Sequence, residues 1–294
     1  MISQTAFIGL GRMGIPMTGR LAAAGVAVRG YDVSAQARAA LDEVDGARAA
    51  ASAAEAAQGA ASVILMLPTS DAVEAVLLED GLLEALEPPT ILIDMGSSEP
   101  LRTRALAERA AQRGIEMLDA PVSGGVRGAL EGTLTIMVGG AERAFGECRA
   151  MFDAMGGNVR HVGGPGAGHA LKALNNLLSA VHLLASCEAL AVAERFGLDP
   201  AVFVDVVSTS SGRSGSVDNK LPNYVIPARF DSGFTIGLMV KDMAIAVALG
   251  EELGLSPKLG ESALDAWRHA RSALSDDADH TEISRWVELA EARG

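Results

Sequence analysis

A glycine-rich loop near the start of the 294-residue chain has the residue types and spacing of a phosphate-binding turn. The loop is Gly9-Leu10-Gly11-Arg12-Met13-Gly14, and it follows a short apolar run and precedes a helical pattern. In such a turn the first glycine permits the bend, the second lets the backbone approach a pyrophosphate, and the third lets helix and strand pack closely. The N–H groups of the helix N-terminus then bind the pyrophosphate. The loop therefore predicts dinucleotide binding.

An acidic residue follows this loop at the distance expected for ribose recognition. Asp32 ends the second apolar run, 18 residues after Gly14. A carboxylate there accepts hydrogen bonds from the adenosine ribose hydroxyls and repels a 2′-phosphate, so NAD is favoured over NADP. Arg29 and Arg38 are near enough in sequence to leave NADP open. The alternative for Asp32 is a solvated turn residue.

A lysine stands in an otherwise apolar helical pattern that runs from Ala170 to Phe196. On a helix Gly168, Lys172 and Asn176 are spaced i, i+4, i+8 and share one stripe. Burying the charged amine of a lysine on such a helix costs free energy that another interaction must offset. Either its amine moves a proton in a reaction, or its four-carbon stem carries the amine to solvent.

The elements that must position these residues fall into two parts. Over the first 160 or so residues, short apolar runs alternate with Ala-rich helical stretches, which indicates a mostly parallel sheet covered on both faces. After the Gly/Pro-rich segment 161–168 the pattern is helical. We predict an α/β chain: a Rossmann-type dinucleotide-binding domain over residues 1–164 and an all-α C-terminal domain over 165–294, joined by the long helix. We expect a helix over Ala49–Ala61 and an irregular loop over Ser210–Arg229.

The composition of the chain disfavours several classes of binding partner and of structural site. The formal net charge of −13 disfavours nucleic acid and anionic membrane surfaces. Two cysteines and five scattered histidines predict neither a disulfide framework nor a metal site. We read Cys148 and Cys187 as small buried hydrophobes. No signal peptide or membrane span is apparent, so the cytoplasm is the expected location.

Three further segments carry a family resemblance. They are Asp119-Ala-Pro-Val-Ser-Gly-Gly125, Gly168-His-Ala-Leu-Lys-Ala-Leu-Asn-Asn176 and Lys241-Asp242-Met-Ala-Ile-Ala. Together with the glycine loop, in this order and spacing from residue 4 to about 285, they resemble the β-hydroxyacid dehydrogenases. The resemblance implies an NAD- or NADP-dependent oxidoreductase that interconverts a small 3-hydroxy acid and its semialdehyde or keto acid, assembled as a homodimer or homotetramer.

The resemblance also implies roles for individual residues. Lys172 is the general acid or base, because a hydride transfer at an alcohol carbon needs one proton moved at oxygen. Asn176 holds the substrate beside it, and Asn175 is second in rank for that role. The substrate carboxylate is bound by Ser123, Gly124 and Gly125. The cofactor is bound, besides the glycine loop and Asp32, by Leu67, Pro68, Ser97 and Lys241.

Some points stay open at the level of sequence. Gly96 and Ser97 stand where the family has serine and threonine, so Ser97 keeps the hydroxyl of the family's threonine but not its methyl group. An imine reductase-like enzyme and a non-catalytic nucleotide sensor are the alternatives. Residues that shape the substrate side group are expected in Ser208–Phe234, and a second anion is a candidate ligand for Arg213, Lys220 or Arg229.

Overall fold

The structure is a computed structural model that describes residues 4–291, with only the backbone of residues 290 and 291. Two compact units divide the chain, Met1–Lys172 and Ala173–Gly294. The division falls inside the long helix, whereas the sequence predicts a boundary just before that helix begins. Each unit has its own apolar core.

The first unit is built on one nine-stranded sheet. Its strands are β1 (Gln4–Ile8), β2 (Ala27–Tyr31), β3 (Ala47–Ala49), β4 (Ser62–Leu65), β5 (Ile91–Asp94), β6 (Glu116–Asp119), β7 (Val122–Ser123), β8 (Thr135–Gly139) and β9 (Asn158–Gly163). The order β3-β2-β1-β4-β5-β6 is parallel throughout. β8 then runs antiparallel to β6 and to β7, and β9 pairs parallel with β8.

Helices cover both faces of this sheet. They are α1 (Gly14–Ala23), α2 (Ala35–Asp42), α3 (Ala53–Ala57), α4 (Ser70–Glu74), α5 (Leu82–Ala85), α6 (Pro100–Gln112), α7 (Gly125–Glu131) and α8 (Glu142–Met155). A π-helical turn, Ala75–Glu79, continues α4. Strands β4 and β5 are buried along their length, which explains why each has three consecutive apolar residues, and three of the four residues of β6 are also buried. The expected two-sided α/β domain is confirmed.

The described part of the second unit is helical. Its helices are α9 (Ala167–Phe196), which begins in the first unit, α10 (Pro200–Ser208), α11 (Ile236–Glu252), α12 (Lys258–Ala273) and α13 (Ile283–Glu291). The core centres on Trp267, whose indole N–H donates to the Ala180 carbonyl at 3.3 Å. Ser232 and Asp279 tie the segment before α11 to the turn before α13. The expected all-α second domain with its long helix is confirmed.

Two local expectations differ from the structure. The Ala-rich stretch 49–61 ends β3 and forms only the short helix α3, because Ser52 caps a new helix start through the Glu55 N–H. The stretch 210–229 contains a π-helical segment, Ser216–Val225, with Pro222 inside it. Proline has no backbone N–H and normally ends an α-helix, so its presence predicts a loop. The wider π-helical turn accommodates it here.

One described helix, α9, is long and apolar enough to pass a test for membrane spans based on length and composition. Nearly half of the apolar window, 44%, is buried within the fold. The core helix of a globular domain passes the same test, so the result does not indicate a span.

Candidate active site

The predicted cofactor residues of the first unit lie in loops at one edge of its sheet, where parallel strands end. Backbone hydrogen bonds join the loops there in pairs: Gly9 N–H to Tyr31 carbonyl at 2.9 Å, and Met66 N–H to Ile8 carbonyl at 2.8 Å. The strand order reverses direction around β1, with β2 on one side and β4 on the other. Ligands of open α/β sheets bind outside the carboxyl ends of the strands at such a switch point.

The glycine loop fits a dinucleotide phosphate on steric grounds. Gly9 has φ +98°, and a β-carbon there would lie 2.3 Å from the Met66 carbonyl oxygen. At Gly14 a β-carbon would lie 2.1 Å from the Gly9 carbonyl oxygen, whereas at Gly11 it would meet nothing within 4 Å. No side chain caps the start of α1 and its first turn holds no acidic residue. The start of α1 thus combines open space at Gly11 with the positive end of a helix dipole, which suits an anion.

The three non-glycine residues of the loop differ in how far their side chains are buried. Leu10 is buried in the core, and Met13 packs against that core while partly exposed. Arg12 is exposed. Of these three predicted contacts, Arg12 has the most exposed side chain, and the Leu10 N–H is already bound to Asp32 Oδ2.

Asp32 is held by the protein in the position expected for ribose recognition. Its Oδ2 accepts the Leu10 N–H at 2.7 Å, and its Oδ1 accepts the Ser34 N–H at 2.8 Å. Each carboxylate oxygen can still accept a second hydrogen bond. Arg29 pairs with Glu55 at 3.2 Å. The Arg38 guanidinium donates to the Asp32 carbonyl at 2.6 Å and so lies beside Asp32. This second arginine keeps NADP open.

Leu67, Pro68 and Ser97 lie in the loops after β4 and β5, next along the same edge. A β-carbon at Gly96 would lie 2.6 Å from the Leu67 carbonyl oxygen and 3.1 Å from Asp94 Oδ1. This close packing explains why glycine stands at position 96. Ser98 donates to Asp94 Oδ2 at 2.7 Å, and the Gly96 N–H donates to Oδ1 at 2.9 Å. Asp94 thereby fixes the loop that carries Ser97.

The predicted carboxylate-binding loop follows β6. Ser123 ends β7 and is partly exposed, while Gly124 and Gly125 are exposed. Gly124 has φ +131° and Gly125 has φ +62°, conformations that favour glycine at both positions. The loop thus presents a hydroxyl and adjacent backbone N–H groups to solvent. The segment that leads into this loop is held against the end of β5, because the Ala120 N–H donates to the Asp94 carbonyl at 2.7 Å.

Lys172 lies in the second turn of α9 and is only 8% exposed. Asp119, the last residue of β6, binds the start of this helix: Oδ1 accepts the Gly166 N–H at 2.8 Å and Oδ2 accepts the His169 N–H at 2.9 Å. Asp119 itself is 1% exposed. Sequence reasoning assigned no role to it, although it opens the motif that ends at Gly125.

A buried histidine lies between two buried carboxylates in the same region. His169 Nδ1 is 2.8 Å from Thr103 Oγ1, whose hydroxyl donates to the Glu99 carbonyl at 3.1 Å. The hydroxyl therefore accepts from an Nδ1–H. Asp94 Oδ2 lies 3.8 Å from His169 Nε2, and Asp119 Oδ2 lies 3.9 Å from Nδ1. Sequence reasoning treated His169 as one of several scattered histidines.

In the second unit, Asn176 is held by a carboxylate that the sequence analysis left without a role. Its Nδ2 donates to Asp242 Oδ2 at 2.6 Å, and its Oδ1 accepts from Asn175 Nδ2 at 3.1 Å. Asp242 is 2% exposed. Because a carboxylate only accepts, it fixes which way the Asn176 amide points and leaves that amide one further N–H.

Lys241, a predicted cofactor contact, lies next to the same carboxylate. Its Nζ is 3.3 Å from Asp242 Oδ1, and a quarter of its side chain is exposed. Asp242 thus contacts Asn176 and Lys241, two of the three predicted site residues of this unit, and its place beside Lys241 in the sequence was the signal that could have found it. The cofactor role of Lys241 stays a prediction.

The three cations considered for a second anion have protein partners. Arg213 pairs with Asp218 at 2.8 Å and Arg229 with Asp231 at 3.0 Å, and both arginines are largely exposed. Lys220 is partly buried, and its Nζ lies 5.4 Å from the Tyr224 ring centre. Desolvation lowers the pKa of Lys220, against the opposing effect of Asp279.

The two cysteines lie in the apolar cores of the two units. Cys148 and Cys187 are buried and free, as expected, and burial raises the pKa of each thiol to about 12. Both are therefore neutral thiols near pH 7 and poor nucleophiles. Among residues 4–291 no group of three or more His, Cys, Asp or Glu side chains is placed to hold a metal ion.

Comparison with known proteins identifies the two parts of the chain. Residues 4–163 match a family model described as the NAD binding domain of 6-phosphogluconate dehydrogenase. Residues 166–287 match one described as the NAD-binding of NADP-dependent 3-hydroxyisobutyrate dehydrogenase. These matches confirm that the chain binds NAD, with NADP as a further possibility.

Similar proteins extend over almost the whole chain. A 3-hydroxyisobutyrate dehydrogenase of Pseudomonas aeruginosa is 39% identical over 287 residues, 95% of each chain. An NAD-dependent L-serine dehydrogenase of the same organism is 40% identical over 274 residues, 91% of this chain and 92% of that one. The solved 3-hydroxyisobutyrate dehydrogenase of Mycobacterium tuberculosis with L-serine superposes with a TM-score of 0.92 at 34% identity, covering 98% of this chain and 99% of that one. The chain belongs to the β-hydroxyacid dehydrogenase family and is an NAD-dependent hydroxyacid dehydrogenase.

Proposed function

We propose that the protein interconverts a small 3-hydroxy carboxylic acid and its semialdehyde or keto acid, with Lys172 as general base or acid. The observation that carries this proposal is the burial of a lysine, 8% exposed, on a helix whose start is bound to the end of β6. The substrate loop after β6 and the cofactor loops after β1, β4 and β5 lie at the same edge of the sheet.

Lys172 supplies the proton transfer that the reaction needs at oxygen. As a neutral amine it accepts the hydroxyl proton when the alcohol is oxidised, and as an ammonium it returns a proton when the carbonyl is reduced. NAD, when bound, accepts the hydride from the hydroxyl-bearing carbon. Burial of Lys172 keeps bulk water from competing for the same proton.

Two groups of the chain suit the ends of such a substrate. The Ser123 hydroxyl and the backbone N–H groups of Gly124 and Gly125 suit a carboxylate, because they are donors without a competing negative charge. The remaining N–H of Asn176 suits a hydroxyl or carbonyl oxygen, because Asp242 holds the amide in one orientation. Both assignments are proposals.

The substrate class follows from what the relatives' names share. L-serine and 3-hydroxyisobutyrate are both 3-hydroxy carboxylic acids, and they differ at carbon 2, where one has an amino group and the other a methyl. We propose that this chain accepts a substrate of that frame. The pairing of Arg213 and Arg229 with aspartates argues against a second anionic group on the substrate.

A homo-oligomer is part of the proposal. Helix α9 exposes large apolar side chains at helical spacing: Leu174 is 44% exposed, Leu178 58%, Val192 63% and Phe196 83%. A contiguous apolar face of this kind is typical of a protein–protein interface. A homodimer or homotetramer would cover it, and light scattering at several concentrations tests this.

The experiment that tests the function is a coenzyme absorbance screen at 340 nm. The panel holds 3-hydroxyisobutyrate, L-serine, glycerate, threonate and a sulfonated analogue, each with NAD and with NADP. We expect turnover with one or more 3-hydroxy acids and a preference for NAD. Turnover of a cyclic imine with NADPH, without turnover of any hydroxy acid, would favour the imine reductase alternative. Coenzyme binding with no turnover of any compound would favour the sensor.

A further inference from the structure

The start of α9 has no capping side chain of its own. The Gly166 carbonyl accepts the Ala170 N–H at 3.0 Å, so Gly166 occupies the N-cap position and has no side chain to offer. His169, at the third helical position, directs its ring to Thr103 rather than back to the helix start. The two donors that a capping box would satisfy are the N–H groups of the N-cap and third residues.

Asp119 satisfies both of these donors from a distant strand. One carboxylate oxygen accepts the Gly166 N–H at 2.8 Å and the other accepts the His169 N–H at 2.9 Å. The carboxylate is also at the positive end of the helix dipole and 1% exposed, where such interactions are strongest. One residue of β6 therefore replaces the two side chains of a capping box.

Glycines surround the Asp119 carboxylate and allow this approach. A β-carbon at Gly139 would lie 2.5 Å from Oδ1, and one at Gly168 would lie 2.9 Å from Oδ2 and 2.3 Å from the Met137 carbonyl oxygen. The glycine that precedes Lys172 in the G-x-x-x-K motif therefore has a steric purpose. It lets the helix start touch the ends of β6 and β8.

We infer that Asp119 is a positioning residue that sets the place of Lys172 relative to the substrate loop, an inference that rests on the proposed function. Asp119 begins the segment that ends in Ser123, Gly124 and Gly125, and its side chain holds the helix turn directly before Lys172. The lysine and the loop are thus fixed by one buried carboxylate. A shift of about 1 Å at a proton-transferring group lowers turnover by roughly 100-fold.

The test is a double-mutant cycle with Asp119→Asn and Lys172→Ala. Asparagine keeps the size of the side chain, but its NH₂ group faces one of the two N–H donors. We expect Asp119→Asn to lower kcat by about 10- to 100-fold with NADH affinity within about threefold of wild type. In the Lys172→Ala background the same change should lower the residual kcat by less than about threefold, because residues that act through one another are not additive.

A matched control makes the same chemical change at another helix start. Asp199 caps α10 through the Ala201 N–H at 2.7 Å, and Asp199→Asn should leave kcat unchanged because α10 carries no residue of the proposed site. Equal losses from Asp119→Asn with and without Lys172, or wild-type kcat in Asp119→Asn, would overturn the inference while the proposed function stands. Wild-type turnover in Lys172→Ala would overturn the proposed function and this inference with it.

A second measurement uses the unaltered enzyme and does not depend on the folding of any variant. Hydrogen exchange at the Gly166 and His169 amides should be slow, at least 100-fold slower than in an unprotected first helical turn, because each donates to a buried carboxylate. Exchange at the unprotected rate at both amides would overturn the inference. Exchange at the slow rate would support the cap that the inference requires.

Discussion

Two helix N-termini of the first unit are built in opposite ways. The start of α1 has no capping side chain and no acidic residue in its first turn, and a β-carbon at Gly11 would meet nothing within 4 Å. The start of α9 is bound by the buried Asp119 carboxylate through two backbone N–H groups. Both termini favour a negative group, because each lies at the positive end of a helix dipole.

The difference shows how one physical property serves binding in one place and positioning in another. The open α1 terminus leaves space for the dinucleotide phosphates that we propose bind there. Filling the α9 terminus from within makes the position of Lys172 independent of any ligand. Variants at each terminus should therefore change different quantities: coenzyme affinity at α1 and turnover at α9.

Among the variants at α1, the largest effect is expected from adding a side chain at Gly14, where the helix packs closely against the glycine loop. Gly14→Ala places a β-carbon 2.1 Å from the Gly9 carbonyl oxygen, a backbone atom that cannot move away alone. We expect this variant to lose about 3 kcal/mol or more of unfolding free energy, measured by denaturant titration. Gly19→Ala on the same helix is the control, because its β-carbon meets nothing within 4 Å. It should gain about 0.5–1 kcal/mol, and a similar cost at both positions would contradict the proposed packing.

The next effect concerns the open space at Gly11. Gly11→Asp places a carboxylate at the helix start, as Asp119 does at α9, and should lower NAD affinity by roughly 100-fold because it occupies and repels the phosphate position. Gly11→Ala adds only a methyl group and should lower NAD affinity by roughly 10-fold. Titration calorimetry gives both values. Unchanged affinity in Gly11→Asp would mean that the phosphates bind elsewhere.

The smallest effect is expected at Asp32, a carboxylate beside the α1 loop that does not cap the helix. Asp32→Asn keeps one acceptor for the Leu10 N–H and removes the charge that repels a 2′-phosphate. We expect NAD affinity to fall by about 10-fold and the ratio of kcat/KM for NAD over NADP to fall with it. Steady-state kinetics with both coenzymes measure the change, and unchanged discrimination would place ribose recognition at another residue.

The parts of the fold that sequence predicts are those with a local signal. Strands β4 and β5 coincide with short apolar runs of the kind that predicts a buried strand, and each run ends at a polar or turn residue. Strand β3 has only three residues in an Ala-rich stretch, and Ala marks a helix as readily as a buried strand. The π-helical segment Ser216–Val225 is hard to predict because Pro222 lies inside it, and proline normally ends a helix.

The candidate site also contains residues that the sequence predicts and residues that only the tertiary structure reveals. The glycine loop and Asp32 are predictable because the motif and its strand–helix context lie within one βαβ unit. The contact of Asp119 with the start of α9 joins residues 47 and 50 positions apart, so no local pattern reports it. Asp242 is adjacent to Lys241 in sequence, but its hydrogen bond to Asn176 spans 66 positions. Such carboxylates are visible only once the tertiary structure is known.

The central claim is that the amine of Lys172 moves the proton, and chemical rescue of Lys172→Ala tests it most directly. The variant should bind NADH as the wild type does but turn over about 100- to 10,000-fold more slowly. Added methylamine should raise its kcat in proportion to the concentration of the free amine, while tetramethylammonium, which has neither a lone pair nor an N–H to transfer a proton, should not. Near wild-type turnover of Lys172→Ala without any added amine would contradict the account.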